Sequence, residues 1–174
     1  MKKIYFAGGC FWGTEMIFKA VPGVSNTVVG YANGITENPS YSEVCKDNTG
    51  HRETVLVEYD ENMVSLELLT EVFFMIIDPS QKNRQGGDIG SQYQTGVYFC
   101  DDVDRKILEE VFTKKRQGAD EFYVELEKLM SFWNAEEYHQ DYLDKNPNGY
   151  CHISLQQKKA VIEYLKGIYK NMQI

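Results

Sequence analysis

Apolar and polar residues follow regular periods along most of the chain, and these periods predict strands and helices. Residues 53–59 alternate in polarity, which is typical of a half-buried strand. The first residue of that run, Glu53, has the same parity as its valines, so we expect the carboxylate to be partly buried. Residues 66–77 instead place apolar side chains three and four positions apart, as an amphipathic helix does, and Ser65 is a suitable N-cap.

The same reasoning divides the whole chain into elements. The predicted strands cover residues 3–7, 24–31, 53–59, 95–100 and 122–127. The predicted helices cover residues 10–20, 66–77, 103–114, 135–143 and 155–172, with start signals at Asp102, Asn134–Glu137 and Ser154–Gln157, the last two being capping boxes. Helical spacing directs Val103, Ile168 and Met172 inward.

The order of the first elements is strand, helix, strand, strand, helix, strand. This is the order of a ferredoxin-like split β-α-β unit. It predicts an α+β fold, a two-layer sandwich with a long C-terminal segment wrapped outside. The sequence has 174 residues and no internal repeat or linker, so we expect residues 1–174 to form one domain.

Composition and charge exclude several classes of function. The sequence is 43% hydrophobic and 25% charged, with a net charge of −8. It has no basic stripe to bind phosphates, so we expect no nucleic-acid partner. No apolar run is long enough to cross a membrane, and the apolar residues after Lys3 are too few for a signal peptide. We therefore expect a cytoplasmic monomer.

The four cysteines, Cys10, Cys45, Cys100 and Cys151, are widely spaced. In a reducing compartment such cysteines do not form a structural disulfide framework, so any disulfide is expected to be transient and catalytic. The sequence has no CxxC or HxxxH pair, and we expect neither a metal nor another cofactor.

Cys10 is the strongest candidate for chemistry, because it follows a strand and the pair Gly8-Gly9 and begins a helix. The first amides of a helix carry partial positive charge, so we expect a lowered thiol pKa and a nucleophilic thiolate. Phe11 and Trp12 place aromatic surface beside the thiol. The alternative is a buried cysteine that only packs the helix against a sheet, and the pattern alone leaves both open.

Other polar candidates lie in or beside irregular segments, of which Ser80–Gln92 is the longest. Such a loop is usually functional or disordered. The candidates also have simpler interpretations: Tyr41 and Tyr93 as half-buried aromatic residues, Asp88 as a turn residue, Glu53 as a solvated charge at a strand edge. The three histidines are expected to be structural or exposed to solvent. Spacing alone does not bring these groups together.

A set of motifs carries a resemblance to a known family. The sequence Gly-Cys-Phe-Trp-Gly around Cys10, with Glu15, is similar to the highly specific signature of the peptide methionine sulfoxide reductase A family. Matching segments follow in order over nearly the whole chain. They are Gly30–Tyr31, Asn38–Tyr41, Val44–Cys45, Thr49–Glu53, Asp78–Pro79, Asn83–Gly86, Asp88–Tyr93, Ala135–Glu136, Tyr138–Gln140, Tyr142–Leu143, Lys145–Pro147 and Gly149–Cys151.

The resemblance implies a role for each matched residue. Cys10 is expected to attack the sulfoxide sulfur, and Glu53 to protonate the sulfoxide oxygen. Tyr41 and Tyr93 are expected to hold that oxygen through their hydroxyls. A glutamate with an ordinary pKa is ionised at neutral pH, so Glu53 must be desolvated to carry the proton.

The remaining roles concern the substrate and the second thiol. The resemblance implies that Phe11 and Trp12 form the pocket for the substrate methyl group and that Asp88 binds a water or the substrate backbone. It implies that Cys151 is the resolving cysteine. Cys45 also lies close to the predicted site and is the alternative.

The implied activity is thiol-dependent reduction of methionine-S-sulfoxide, free or in proteins. Cys10 becomes a sulfenic acid, a second thiol condenses with it to a disulfide, and thioredoxin reduces the disulfide. No cysteine follows Cys151, so we expect a two-cysteine cycle. Arg52 departs from the family pattern, which usually has a small residue there. A thiol peroxidase and a redox-sensing interaction module are the alternative functions.

Overall fold

The computed structural model describes residues 1–170. Its strands are β1 (Lys2–Ala7), β2 (Val24–Ala32), β3 (Arg52–Tyr59), β4 (Arg84–Gln85), β5 (Asp88–Ile89), β6 (Gly96–Phe99), β7 (Glu125–Lys128) and β8 (Phe132–Asn134). Its helices are α1 (Phe11–Lys19), α2 (Tyr41–Val44), α3 (Leu66–Ile76), α4 (Asp102–Arg116), α5 (Tyr142–Lys145) and α6 (Leu155–Ile168). Two 3-10 turns lie at Ser91–Tyr93 and Glu137–His139.

Six strands form one sheet in the order β7-β6-β1-β3-β2-β8. Strand β1 pairs antiparallel with both β3 and β6, and β2 pairs antiparallel with β3 and β8. Strand β7 joins the edge parallel to β6. The short strands β4 and β5 form a separate hairpin. The chain therefore combines helices with a mixed sheet.

Alternation along the strands supplies a core on each face of the sheet. On one face, Phe6 stacks on Phe18 of α1 with ring centroids 4.4 Å apart and also contacts Phe73 of α3. Helices α4 and α6 add buried residues to the same cluster. The other face carries a smaller cluster that includes Tyr5 and Tyr98. The larger core holds α1 firmly, and Cys10 is the N-cap of this helix.

Most predicted elements are present with boundaries shifted by a residue or two. Ser65 caps α3 by accepting from the Leu68 amide, as expected. The capping box of Ser154 and Gln157 at the start of α6 is confirmed. Within residues 1–170, no helix combines the length and apolar character that a membrane-spanning segment requires.

Several details of the predicted helices are wrong. Asp101, rather than Asp102, caps α4, because its side chain accepts from the Asp104 amide. Val103 and Ile168 are exposed instead of facing inward, since their helices turn them away from the core. The predicted inward position of Met172 lies outside the described residues.

Irregular regions hold more structure than their patterns predicted. The short helix α2 begins at a capping box formed by Ser40 and Glu43. The loop over residues 80–92 contains the β4–β5 hairpin. Strand β8 was not predicted, and the predicted strand at 122–127 forms ladder pairs only over Glu125–Lys128.

The capping box expected at Asn134–Glu137 does not form. Residues 137–139 make a 3-10 turn without a side-chain cap, and a separate helix starts at Tyr142. The Glu136 carboxylate bonds to a distant tyrosine and a distant backbone amide instead, as described below. Tertiary contacts thus override the local signal here.

Candidate active site

The turn between β1 and α1 places Cys10 at the N-cap of the helix. Gly9 has φ 85°, and a Cβ at that position would lie 2.8 Å from the Gln85 Cβ, so only glycine fits. Phe11 is the first helical residue, and its amide points out of the helix end. The local sequence therefore aims both the thiol and a free backbone donor at one spot.

Glu53 receives that donor. The Phe11 amide donates to Glu53 Oε2 across 3.1 Å, and the glutamate is only 1% exposed. Burial raises the pKa of Glu53 to about 8, although the Phe11 hydrogen bond opposes the rise. The solvated strand-edge interpretation is therefore wrong, whereas the burial expected from strand parity is confirmed. The carboxyl is largely protonated at neutral pH.

The resting thiol is also protonated. Burial raises the pKa of Cys10 well above its usual range, and the Glu53 charge adds to the rise. A backbone hydrogen bond from Trp12 acts in the opposite direction but is the smaller effect. The expected lowering of the thiol pKa by the helix start is therefore wrong, because desolvation outweighs the partial charge of the helix end.

Two tyrosines lie close enough to Glu53 for its charge to act on their phenols. Tyr41 is the first residue of α2, and Tyr93 ends the 3-10 turn that follows the hairpin. Both are half-buried, and burial followed by the Glu53 charge raises the pKa of each phenol. Both hydroxyls are therefore protonated and able to donate hydrogen bonds.

An aromatic cluster lies beside the thiol. Trp12 stacks on Tyr142 with ring centroids 3.7 Å apart, and its Nε1 donates to His139 Nδ1 across 3.1 Å. Phe11 packs behind, 5.1 Å from the His139 ring and 5.8 Å from Tyr31. Because Phe11 is 1% exposed, Trp12 supplies the open surface of the cluster and Phe11 its base.

Two residues of this region received no role from the sequence. His139 is buried and contacts Phe11, Trp12 and Tyr41. Glu136 accepts from the Tyr31 hydroxyl at 2.9 Å and from the Tyr41 amide at 3.0 Å, so it fixes the start of α2. Both residues lie in segments that carry the family resemblance, and that resemblance is the sequence signal that points to them. The capping-box pattern at Asn134–Glu137 predicts only a local role for this region.

Asp88 is tied to the C-terminal loop. The Tyr150 hydroxyl donates to Asp88 Oδ2 across 3.0 Å. Burial and the Asp88 charge raise the pKa of Tyr150 to about 12. This contact draws Cys151, the next residue, toward the site.

The four cysteines differ in position and exposure. Cys10 is buried, Cys151 is half-buried, and Cys45 and Cys100 are exposed. A Cβ on Gly13, in the first turns of α1, would lie 2.9 Å from Cys151 Sγ. Cys45 follows α2, and burial raises its thiol pKa. The structure therefore places Cys151 against the helix of Cys10, whereas Cys100 follows β6 at the end of the sheet away from Ala7.

The sequence profile of the PMSR family, described as peptide methionine sulfoxide reductase, matches residues 2–168. The chain belongs to this family. Members of the peptide methionine sulfoxide reductase family are oxidoreductases that reduce methionine sulfoxide, and this chain is such an enzyme. It is 54% identical over 154 residues to the peptide methionine sulfoxide reductase MsrA of Clostridium acetobutylicum, covering 88% of this chain and 95% of that protein.

Solved structures of the family have the same fold. The reduced form of Mxr1 from Saccharomyces cerevisiae is 37% identical, with a TM-score of 0.83, covering 88% of this chain and 91% of that one. Mxr1 has also been solved in complex with Trx2. That structure is 27% identical to this reductase, with a TM-score of 0.58 over 81% of this chain and 84% of the other.

Proposed function

We propose that Cys10 and Glu53 reduce methionine-S-sulfoxide, free or in proteins, as nucleophile and acid. The observation that carries this proposal is the hydrogen bond from the Phe11 amide to Glu53 Oε2 at 3.1 Å. That bond occupies Oε2 as an acceptor, so the carboxylic proton is carried by Oε1. A buried, protonated carboxyl beside a thiol is suited to protonating a sulfoxide oxygen.

The first step moves one oxygen atom. Glu53 gives its proton to the sulfoxide oxygen while the Cys10 sulfur attacks the substrate sulfur. The thiol proton passes to the Glu53 carboxylate, the oxygen passes to Cys10 as a sulfenic acid, and methionine leaves. Tyr41 and Tyr93, which lie close to Glu53, donate to the oxygen during the transfer. Their neutral hydroxyls stabilise charge as it develops there.

The substrate methyl group is proposed to lie on Trp12, with Phe11 as the base of the pocket. Sulfur and methyl groups both pack favourably on aromatic rings. Asp88 is proposed to bind a water or the substrate backbone at the opposite wall, where it already accepts from Tyr150. A site of this kind distinguishes the two sulfoxide epimers, because only one directs its oxygen toward Glu53 while its methyl group contacts Trp12.

The resolving step is assigned to Cys151. Its Sγ lies against Gly13 of α1, the helix that Cys10 caps. Cys45 is exposed at the C-terminal end of α2. We propose that thioredoxin then reduces the Cys10–Cys151 disulfide, as the complex of Mxr1 with Trx2 suggests for a relative.

We also propose a finer description of the fold, a compartment and an oligomeric state. The order β6-β1-β3-β2, antiparallel throughout, supports a ferredoxin-like split β-α-β core within a single domain of residues 1–174. The acidic composition supports a cytoplasmic monomer that binds neither nucleic acid nor membrane.

The test is an assay with dithiothreitol on a peptide mixture that carries both sulfoxide epimers. We expect complete loss of the S epimer and retention of the R epimer, measured by chiral chromatography. Equal loss of both epimers contradicts the proposed pocket. Faster turnover with peroxide than with sulfoxide favours a thiol peroxidase. Absence of multiple turnover favours a redox-sensing module.

A further inference from the structure

The residue after Cys151 is anchored at the turn that precedes Cys10. His152 Nε2 lies 2.9 Å from the Gly8 carbonyl oxygen. The imidazole ring also packs against Gly9 of this turn, because a Cβ on Gly9 would lie 3.3 Å from Nε2. Ile153 is buried and lies against Gly13. Residues 151–153 are therefore docked on the start of α1.

The hydrogen bond to Gly8 fixes the tautomer of His152. A carbonyl oxygen only accepts, so Nε2 carries the proton and Nδ1 carries a lone pair. Among the described residues, the buried Nδ1 atom has no hydrogen-bond partner. A buried acceptor without a partner is costly in a folded protein, and such groups frequently have a functional reason.

Nδ1 and the Cys151 thiol both border the space over Gly13. The position of a Gly13 Cβ is 2.9 Å from Cys151 Sγ and 3.4 Å from His152 Nδ1, so both atoms line this space. In the described structure the thiol donates weakly to the Ile153 carbonyl, with Sγ 3.7 Å from the oxygen. A transfer of its proton to Nδ1 would require the thiol to leave this acceptor.

The surroundings keep His152 neutral. Burial lowers the pKa of His152 below its usual value. The Gly8 carbonyl and the carboxylate of Asp88 oppose this, and the ammonium of Lys158 in α6 adds to it. The Cys151 thiol precedes His152 in the chain, and the Cys10 thiol follows Gly9, against which the imidazole ring packs. A neutral imidazole with a free lone pair beside a thiol is the arrangement of a nucleophile and its base.

We propose that His152 is the general base of the resolving step, which rests on the proposed role of Cys151. Nδ1 takes the Cys151 proton as that sulfur attacks the sulfenic sulfur of Cys10. The S–S bond forms and the S–O bond breaks, so Cys151 is oxidised and the sulfenic sulfur is reduced. The leaving hydroxide takes the proton from Nδ1 and departs as water, which returns His152 to its neutral form.

The test separates the two chemical steps in His152→Gln. The glutamine amide can still donate to the Gly8 carbonyl, so the anchor is kept while the base is removed. Reduced enzyme is mixed with a single equivalent of methyl-sulfoxide substrate, and methionine and disulfide are measured over time. We expect an unchanged methionine burst and disulfide formation slowed about a hundredfold, the lower end of general acid–base effects. Disulfide formation within about threefold of wild type overturns the proposal.

The pH dependence provides a second measurement that needs no variant. With a base at His152, the wild-type resolving rate is level at neutral pH and falls on acidification, as Nδ1 becomes protonated. A rate that rises about tenfold per pH unit without a plateau indicates unassisted thiol ionisation and overturns the proposal. Cys151→Ser is the control: if it still forms an intramolecular disulfide, the assignment of Cys151 fails first, and the role of His152 falls with it.

Discussion

The amide of Phe11 donates to Glu53 Oε2 across 3.1 Å, which joins the residue after the proposed nucleophile to the proposed acid. The bond has two consequences. It holds the carboxyl beside Cys10, and it leaves Oε1 to carry and deliver the proton. Because a backbone amide makes the bond, any substitution at position 11 other than proline preserves it.

Glu53→Gln should separate hydrogen bonding from proton donation. The amide oxygen can still accept from Phe11, and the amide nitrogen can still donate, but no acidic proton remains. We expect the rate of methionine formation to fall by about a hundred- to ten-thousandfold, as is typical for loss of a general acid. Rapid-quench measurement of the first turnover checks this. A first-turnover rate within about threefold of wild type would place the acid elsewhere.

The same substitution should change how stability depends on pH. The folded protein holds the Glu53 proton up to about pH 8, whereas an ordinary glutamate releases it near 4.5. Between these values the folded state binds more protons than the unfolded state, so wild-type stability falls as pH rises. The loss is at most about 1.4 kcal/mol per pH unit. Denaturant unfolding of Glu53→Gln should show a gain over wild type that grows across this window, and a constant difference would contradict the burial effect.

Cys10→Ser should abolish reduction, because serine cannot accept the sulfoxide oxygen as a sulfenic acid. Cys100→Ser is the matched control, since Cys100 is exposed at the far end of β6. We expect it to retain nearly all activity in a steady-state assay with dithiothreitol. A correctly folded Cys100→Ser protein with a large loss of activity would argue against the site as assigned.

Cys151→Ser should spare the first step and stop the cycle. One methionine per enzyme should be released, with Cys10 left as a sulfenic acid that dimedone traps. Turnover with thioredoxin should collapse, whereas a small thiol can reach the sulfenic acid directly and should sustain some activity. Mass spectrometry identifies the trapped residue. Normal cycling of this variant with thioredoxin, together with failure of Cys45→Ser, would make Cys45 the resolving thiol.

Arg52, which departs from the family pattern, should stabilise the folded protein. Its guanidinium bonds both carboxylate oxygens of Glu125, at 2.8 and 3.4 Å, and Tyr98 donates to the same carboxylate at 2.6 Å. Arg52→Ala leaves that shielded carboxylate without its cation, so we expect a loss of roughly 1–3 kcal/mol in denaturant unfolding. Lys3→Ala, which breaks the exposed pair with Glu58, should have a clearly smaller effect. Equal losses of unfolding free energy in the two variants would show that burial does not decide how much an ion pair contributes to stability.

The sequence predicted the periodic parts of the fold and the family of the chain, but missed what depends on distant contacts. The alternation in β3 predicted a buried Glu53 because parity is a local property. By contrast, β8 has only three residues and is defined by pairing with β2, which no local pattern reveals. The pKa of Cys10 was predicted in the wrong direction because the helix start is visible in the sequence and the burial of the thiol is not.

The side chains that support the site could not be identified from the sequence for a related reason. Glu136 resembles a helix-start residue in sequence, yet its carboxylate joins Tyr31 to the amide of Tyr41. His152 follows the expected resolving cysteine, but only the fold brings its ring to the Gly8 carbonyl. Both contacts span more than ninety positions of the chain. Such partners follow from the assembled topology rather than from spacing.

The close approach of Cys151 to Gly13 sets a limit on engineering this reductase for heat resistance. Alanine would strengthen the exposed interior of a helix by about 1 kcal/mol relative to glycine, so a design guided by helix propensity favours it at position 13. There, however, the new methyl group would lie 2.9 Å from Cys151 Sγ and 3.2 Å from Ile153 Cδ1. A more rigid α1 would therefore come with a displaced thiol at the proposed resolving position, and turnover with thioredoxin would fall. At position 13, helix stability favours alanine, whereas repeated turnover favours glycine.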